Sequence, residues 1–223
     1  MTVPFAFQKD DLPTELPLFP LANAVLLPGG HLPLNIFEPR YLAMVDYALK
    51  TDRMIGMIQP SSALADAHMP ALRPLAATGC AGRITGFEET DDGRYMLVLT
   101  GICRFHIAAE LPLLNGFRRA TPDWNDYRHD ILPQADLSPQ LRTAIMKMLV
   151  RYFTQQNIEA DWQAVKHASD SRLITCLAMI CPFTSAEKQA LLEAQDCPAR
   201  AQLFLTMLEM AVHAVDDGPD TQQ

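Results

Sequence analysis

Leu16-Pro17-Leu18-Phe19-Pro20-Leu21 runs through Leu26-Leu27-Pro28-Gly29-Gly30 into Leu32-Pro33-Leu34-Asn35-Ile36-Phe37-Glu38-Pro39-Arg40-Tyr41. This stretch decides the fold. Leu16–Leu21 and Val25–Leu27 read as short apolar strands, and Pro28-Gly29-Gly30 supplies a turn. Prolines 17, 20, 28 and 33 cannot donate to a hydrogen-bond ladder, which places these strands at sheet edges or starts them at a proline. Pro39 then opens a helix, where a missing N–H costs nothing. Leu42, Val45, Ala48 and Leu49 give that helix one apolar face.

Working outward, nine of the ten glycines lie at or before Gly116, the exception being Gly218. Glycine serves turns and bulges and weakens helix interiors, so strands precede helices. Met54–Ile58 is a strand closed by Pro60, and residues 61–75 read as a loop. Cys80–Thr90 and Arg94–Thr100 flank Asp91-Asp92-Gly93, a hairpin signal, and Gly86 sets Phe87 out of phase with Ile84, predicting a bulge. Cys103, Phe105 and Ile107 alternate with Arg104 and His106 as in a half-buried strand. A further strand is expected over Phe117–Ala120.

Beyond residue 130 the spacing is helical. Ser138-Pro139 caps a helix carrying Leu141, Ile145, Met148, Leu149, Tyr152 and Phe153, and another helix runs through Trp162 and Val165. Ser169 or Asp170 starts the next, which ends at Pro182, and Thr184-Ser185-Ala186-Glu187 is a capping box. Pro198 opens the last helix, reaching about Val215. The fold class is α+β. Residues 1–14 read as an extension, 15–130 as a β-rich subdomain, 131–215 as a helical bundle and 216–223 as a flexible tail.

The chain has 223 residues, 49% of them hydrophobic, enough for a sizeable core. Its net charge is −8, and neither segment is basic: residues 1–137 hold 11 basic and 16 acidic side chains, the remainder 7 and 10. This balance argues against a nucleic-acid partner. The first residues carry Lys9, Asp10 and Asp11 and no apolar core of a signal peptide. No apolar run approaches the roughly 20 residues a bilayer span needs. Five cysteines without a CxxC pair suit a reducing compartment, so the expected location is the cytoplasm, with no membrane partner.

From Leu16 to Glu209 the chain resembles the N-terminal, substrate-binding domain of Lon proteases. The residues that carry this are the opening run, Gly56-Met57-Ile58-Gln59-Pro60, Gly79-Cys80-Ala81-Gly82-Arg83-Ile84, Thr90-Asp91-Asp92-Gly93-Arg94-Tyr95 and Leu99-Thr100-Gly101-Ile102-Cys103-Arg104-Phe105. Asp123-Trp124, Asp161-Trp162, Cys181-Pro182-Phe183 and Glu187–Ala194 look like short bacterial proteins built from this domain alone. The resemblance implies a PUA-like pseudo-barrel followed by a helical bundle, and binding of unfolded or damaged polypeptide. In a full Lon protease that polypeptide passes to an ATPase ring and a Ser/Lys peptidase. Here no glycine precedes a lysine and no serine follows a glycine by two positions, so neither a phosphate loop nor a GxSxG elbow exists. The expected function is therefore a non-catalytic binding module without cofactor, acting as protease adaptor or holdase. A small-molecule or RNA binder using the PUA-like cleft is the alternative.

For the contact surface, Glu38, Arg40 and Tyr41 stand at a helix start, and Arg and Tyr are favoured at interfaces. Leu32, Leu34 and Met57 are the apolar residues expected beside them. The competing reading pairs Arg40 with Glu38 or a nearby acid and packs Tyr41 under the sheet. Arg118-Arg119 with Trp124 and Tyr127 suggests nucleic acid only until Asp123, Asp126 and Asp130 are counted. The histidines and cysteines lack the short spacings of a zinc site, so no metal is expected. The last helix is apolar on more than one side, which implies either central burial or a homodimer contact.

Overall fold

A computed structural model describes residues 11–61 and 73–216. Its six strands are β1 (Leu16–Pro20), β2 (His31–Ile36), β3 (Met54–Ile58), β4 (Thr78–Glu89), β5 (Tyr95–Leu114) and β6 (Phe117–Asp123). They form one sheet in the order β2-β5-β4-β3-β1-β6, and β6 also pairs with the second half of β5. β5, β4, β3, β1 and β6 thereby close into a barrel, with β2 attached to the first half of β5. β5 reaches both neighbours because it is 20 residues long and shifts register against β4 and β6. One of those shifts lies between Ile84 and Gly86, where the bulge was expected. Among the described residues only β1 and β3 pair in parallel, and α1 (Pro39–Lys50) lies in the crossover that such pairing requires.

Val25–Leu27 is not a strand, contrary to the expectation, although all three residues are buried. Leu27 instead accepts a turn hydrogen bond from the Gly30 N–H, and the Gly29 N–H donates to the Gly101 carbonyl. The chain here lies so close to β5 that a Cβ on Gly101 would sit 2.0 Å from the Leu27 oxygen. Position 101 can only be glycine because backbone passes over backbone.

Leu16, Leu18, Met54, Ala81, Cys103, Phe105 and Ala120 fill the barrel. Trp124 closes it edge-on against Phe105, ring centroids 5.8 Å apart, and donates its indole N–H to the Pro13 carbonyl. On the opposite face of β5, Arg104 is fully buried. Its Nε and Nη2 donate to the two oxygens of Asp130 at 2.8 Å each, and its guanidinium stacks 4.2 Å above the Tyr127 ring. Burial acts to lower the Arg104 pKa, but the hydrogen bonds and charge of Asp130 reverse this and hold it above its ordinary value. Asp130 and Tyr127 come from a 3₁₀ helix, Asn125–Ile131.

Cys80 and Cys103 are not register partners: Cys103 opposes Ala81, and Cys80 opposes Arg104. Burial pushes the Cys103 thiol up to about 12, with Asp130 adding to the rise and Arg104 and Arg128 opposing it. The unfolded chain releases this proton near pH 9 while the folded chain keeps it. Stability is therefore whole below pH 9 and falls by about 1.4 kcal/mol per pH unit toward pH 12. Urea melts between pH 8 and 11 are expected to show this loss, and Cys103→Ala is expected to flatten it. An equally steep loss in the variant would refute the assignment.

The expected helical bundle of residues 131–215 needs one correction. Residues 182–192, which include most of α5 (Ser185–Glu193), pack with the barrel as one unit together with the chain up to Pro133. The Gln59 amide donates to the Ser185 carbonyl at 2.9 Å, and Gln189 donates to the Thr78 carbonyl. Lys188 donates to the Asn23 carbonyl, and Arg104 Nη1 donates to the Leu192 carbonyl at 2.9 Å. The capping box forms as read, with the Thr184 N–H donating to Glu187 at 2.8 Å.

The other unit holds α2 (Pro139–Gln155), α3 (Trp162–His167), α4 (Asp170–Ile180) and α6 (Cys197–Asp216). Ser138 caps α2, and Asp161 accepts from two N–H groups at the start of α3. α2 and α4 both pack on α6, whose Phe204, Leu208 and Val212 are fully buried. Central burial accounts for the apolar face of α6, while Met210 remains exposed.

A candidate polypeptide-binding hollow

The start of α1 is a helix end without a side-chain cap. Glu38 occupies the N-cap position but makes no capping hydrogen bond, and its side chain turns to Arg40 instead, accepting from Nε at 3.0 Å. Arg40 lies over the Tyr41 ring, 4.5 Å from its centroid, and Tyr41 meets Phe19 edge-on at 4.5 Å. Burial lifts the Tyr41 pKa; Arg40 and Arg118 pull it down, and Glu38 pushes it up. Tyr41 is thus a neutral, packed ring with a charged group on its outer face.

This cluster lines a hollow of ≈ 360 Å³ in the barrel unit. The end of β1 supplies Phe19 and Pro20, and β2 supplies Leu34, Asn35 and Ile36. The β5–β6 turn supplies Gly116, Phe117 and Arg118, with Pro60 and Arg73 completing the wall. Phe37, at the mouth, is 63% exposed. Asn115 and Gly116 both have positive φ, and a Cβ on Gly116 would stand 3.3 Å from Arg40 Cβ. The turn therefore lets β6 pass close beside α1. Arg118 is gripped by both carboxylate oxygens of Glu110 and donates to the Arg73 carbonyl at 2.6 Å.

Glu38, Arg40, Tyr41 and Leu34, four of the six residues named for a contact surface, line this one hollow. Of the competing reading, the Arg40–Glu38 ion pair forms and Tyr41 is buried, and both residues also line the hollow. Leu32, two residues before Leu34 on β2, is half-buried and does not line it. Met57 must be withdrawn. It is 2% exposed on β3, a strand flanked by β1 and β4 and buried on both faces, so it belongs to the core. Sequence reading missed Phe19, Phe117 and Arg118 as wall residues. Asn115-Gly116, a strong hairpin signal, marks the turn that brings two of them in.

The aromatic platform considered for nucleic acid does not exist, because Trp124 and Tyr127 are core residues and Arg119 is tied to Glu15 at 2.5 Å. Glu88, Glu89, Asp91 and Asp92 lie exposed at the β4–β5 hairpin, with Asp92 bound to Arg94. Among the described residues no group of three or more His, Cys, Asp or Glu could hold a metal, and no helix is long and apolar enough to cross a membrane. The helical unit has a second, more open hollow of ≈ 600 Å³ between α3 and α4, walled by residues such as Phe153, Val165, Leu173 and Ile180.

The family model for the ATP-dependent protease La (LON) substrate-binding domain matches residues 15–210. The chain belongs to the Lon substrate-binding domain family. Among curated relatives, Lon protease 2 of Myxococcus xanthus is 26% identical, over 93% of this chain and 25% of that protein. Lon protease of Escherichia coli K12 is 22% identical, over 89% and 25%. The chain thus spans about a quarter of the length of these relatives and matches them only as a substrate-binding domain. Among solved structures, the Lon N-terminal domain protein from Xanthomonas campestris superposes with a TM-score of 0.59 at 26% identity, covering 87% of this chain and 98% of that one. The N-terminal domain of Mycobacterium avium complex Lon protease gives 0.60 at 16% identity, which shows the fold alone.

Proposed function

We propose that this Lon-type domain is a non-catalytic module that holds exposed apolar segments of unfolded polypeptides in the hollow at the start of α1. It serves a protease or chaperone partner as adaptor, or acts alone as a holdase, in the cytoplasm. The observation that carries this is the wall itself: Phe19, Leu34, Phe37, Tyr41 and Phe117 line the hollow beside a few polar groups, and Phe37 is open to solvent. Concave, mostly apolar sites with a few placed polar groups are where ligands bind.

The test is fluorescence anisotropy of a labelled, permanently unfolded protein against its folded counterpart, at two salt concentrations. Selective binding of the unfolded form is expected, and Phe37→Ser is expected to weaken it by about tenfold while leaving the melting curve in place, since Phe37 is not core. Equal binding of both forms, or binding indifferent to Phe37, would sink the proposal. The sedimentation coefficient of the same sample reports whether the exposed Met210 face of α6 makes a homodimer.

A further inference from the structure

The hollow carries charge as well as apolar surface, and among its described lining residues the arginines outnumber the acids. A chain of net charge −8 places Arg40, Arg73 and Arg118 around it, against Glu38 as the one acidic residue among the described residues that line it. Arg40 and Arg118 are both held in place: Arg40 is stacked on Tyr41, and Arg118 is gripped by Glu110 with its side chain only 12% exposed. Guanidinium groups fixed in this way lose little freedom on meeting a carboxylate, and they match its geometry with paired donors. Their present partners, Glu38 and Glu110, are more exposed, at 45% and 44%, and exposed carboxylates are the partners that exchange most readily.

Resting on the function proposed above, we infer that the hollow selects polypeptide segments in which a large apolar side chain is flanked by Asp or Glu. The apolar side chain enters against Phe19, Tyr41 and Leu34, and the flanking carboxylate meets Arg40 or Arg118 at the rim. The acidic surface elsewhere disfavours acidic segments, so the preference belongs to this site, where low-dielectric walls focus the arginine field. Glu38 and Glu110 act as built-in competitors that keep the arginines neutralised until a segment arrives.

Three short labelled peptides with the same apolar centre test this, their flanks being acidic, amide (Asn and Gln) or lysine. Acidic flanks are expected to bind about tenfold more tightly than lysine flanks, with amide flanks between, and the spread is expected to shrink in high salt. Arg40→Gln and Arg118→Gln are expected to remove the advantage of acidic flanks. Glu38→Gln and Glu110→Gln, which release the arginines, are expected to increase acidic binding by about threefold, a gain that misfolding cannot produce.

Equal binding of all three peptides, with Phe37→Ser still weakening them, would overturn the acidic preference and leave the proposed function standing. Failure of all three, together with failure to bind the unfolded protein, would overturn both. A dimer that Arg40→Glu dissociates and the acidic peptide does not would make a second copy the occupant, and would also overturn the inference.

Discussion

Arg104→Ala is expected to lower the stability of the barrel unit by about 3–5 kcal/mol, because it strands a carboxylate inside the protein. Asp130 has a side chain 2% exposed, and both of its oxygens accept from Arg104. Arg104 also donates from its backbone N–H to Asp130, and from Nη1 to the Leu192 carbonyl near the end of α5. One side chain therefore ties β5, the 3₁₀ helix and α5 together. Asp130→Ala is expected to cost a similar amount by leaving the buried guanidinium without its carboxylate. Arg104→Met with Asp130→Leu is expected to recover most of the loss, since apolar groups of similar volume replace a buried pair well. Recovery stays incomplete because the Leu192 carbonyl loses its donor. Urea unfolding followed by Trp124 fluorescence, in a Trp162→Phe background, reports on the barrel unit. A double variant no better than either single one would contradict this account.

The second large effect is expected at Gly101. Alanine there would bring a methyl group to 2.0 Å from the Leu27 oxygen and 2.8 Å from its carbonyl carbon, both backbone atoms. Neither can step aside without breaking the paired hydrogen bonds between Gly101 and the Gly29–Gly30 turn. A loss of about 3 kcal/mol is expected, at the upper end of overpacking effects. Gly86→Ala is the control, because its methyl would meet only Val98, at 3.4 Å or more, and should shift stability by less than about 0.5 kcal/mol. Equal losses at the two positions would show that glycine content, not the Leu27 contact, sets the cost. The turn geometry also bears on the hollow: it fixes where β2 begins, and β2 carries Leu34 to the wall.

Much of the candidate site was readable in advance because its chemistry is local. Glu38-Pro39-Arg40-Tyr41 is a helix start whatever the fold around it, and Arg and Tyr at such a place are exposed contact residues in many proteins. Leu34 was named with Leu32 and Met57 as apolar surface beside that helix start, and it does line the hollow. Met57 failed because an apolar residue type on a short strand does not say whether both sides of that strand are covered. Only the neighbours β1 and β4 and the packing on both faces decide that. Phe117 and Arg118 were out of reach because their approach to Arg40 spans 77 and 78 residues of sequence, bridged by the Asn115-Gly116 turn and the β6 pairing.

The order of strands before helices, the bulge at Gly86, the hairpin over Asp91-Asp92-Gly93 and the capping box at Thr184 were all determined by the sequence alone. Each depends on residues within a few positions of one another, where backbone preference and side-chain spacing suffice. Closure of the barrel through β6, the plain coil of Val25–Leu27 and the return of residues 182–192 to the barrel unit were decided by tertiary structure. These depend on which distant backbone groups satisfy each other. Gln59, Gln189 and Arg104 are ordinary polar residues in their own segments, and only the assembled fold gives them carbonyls to bind.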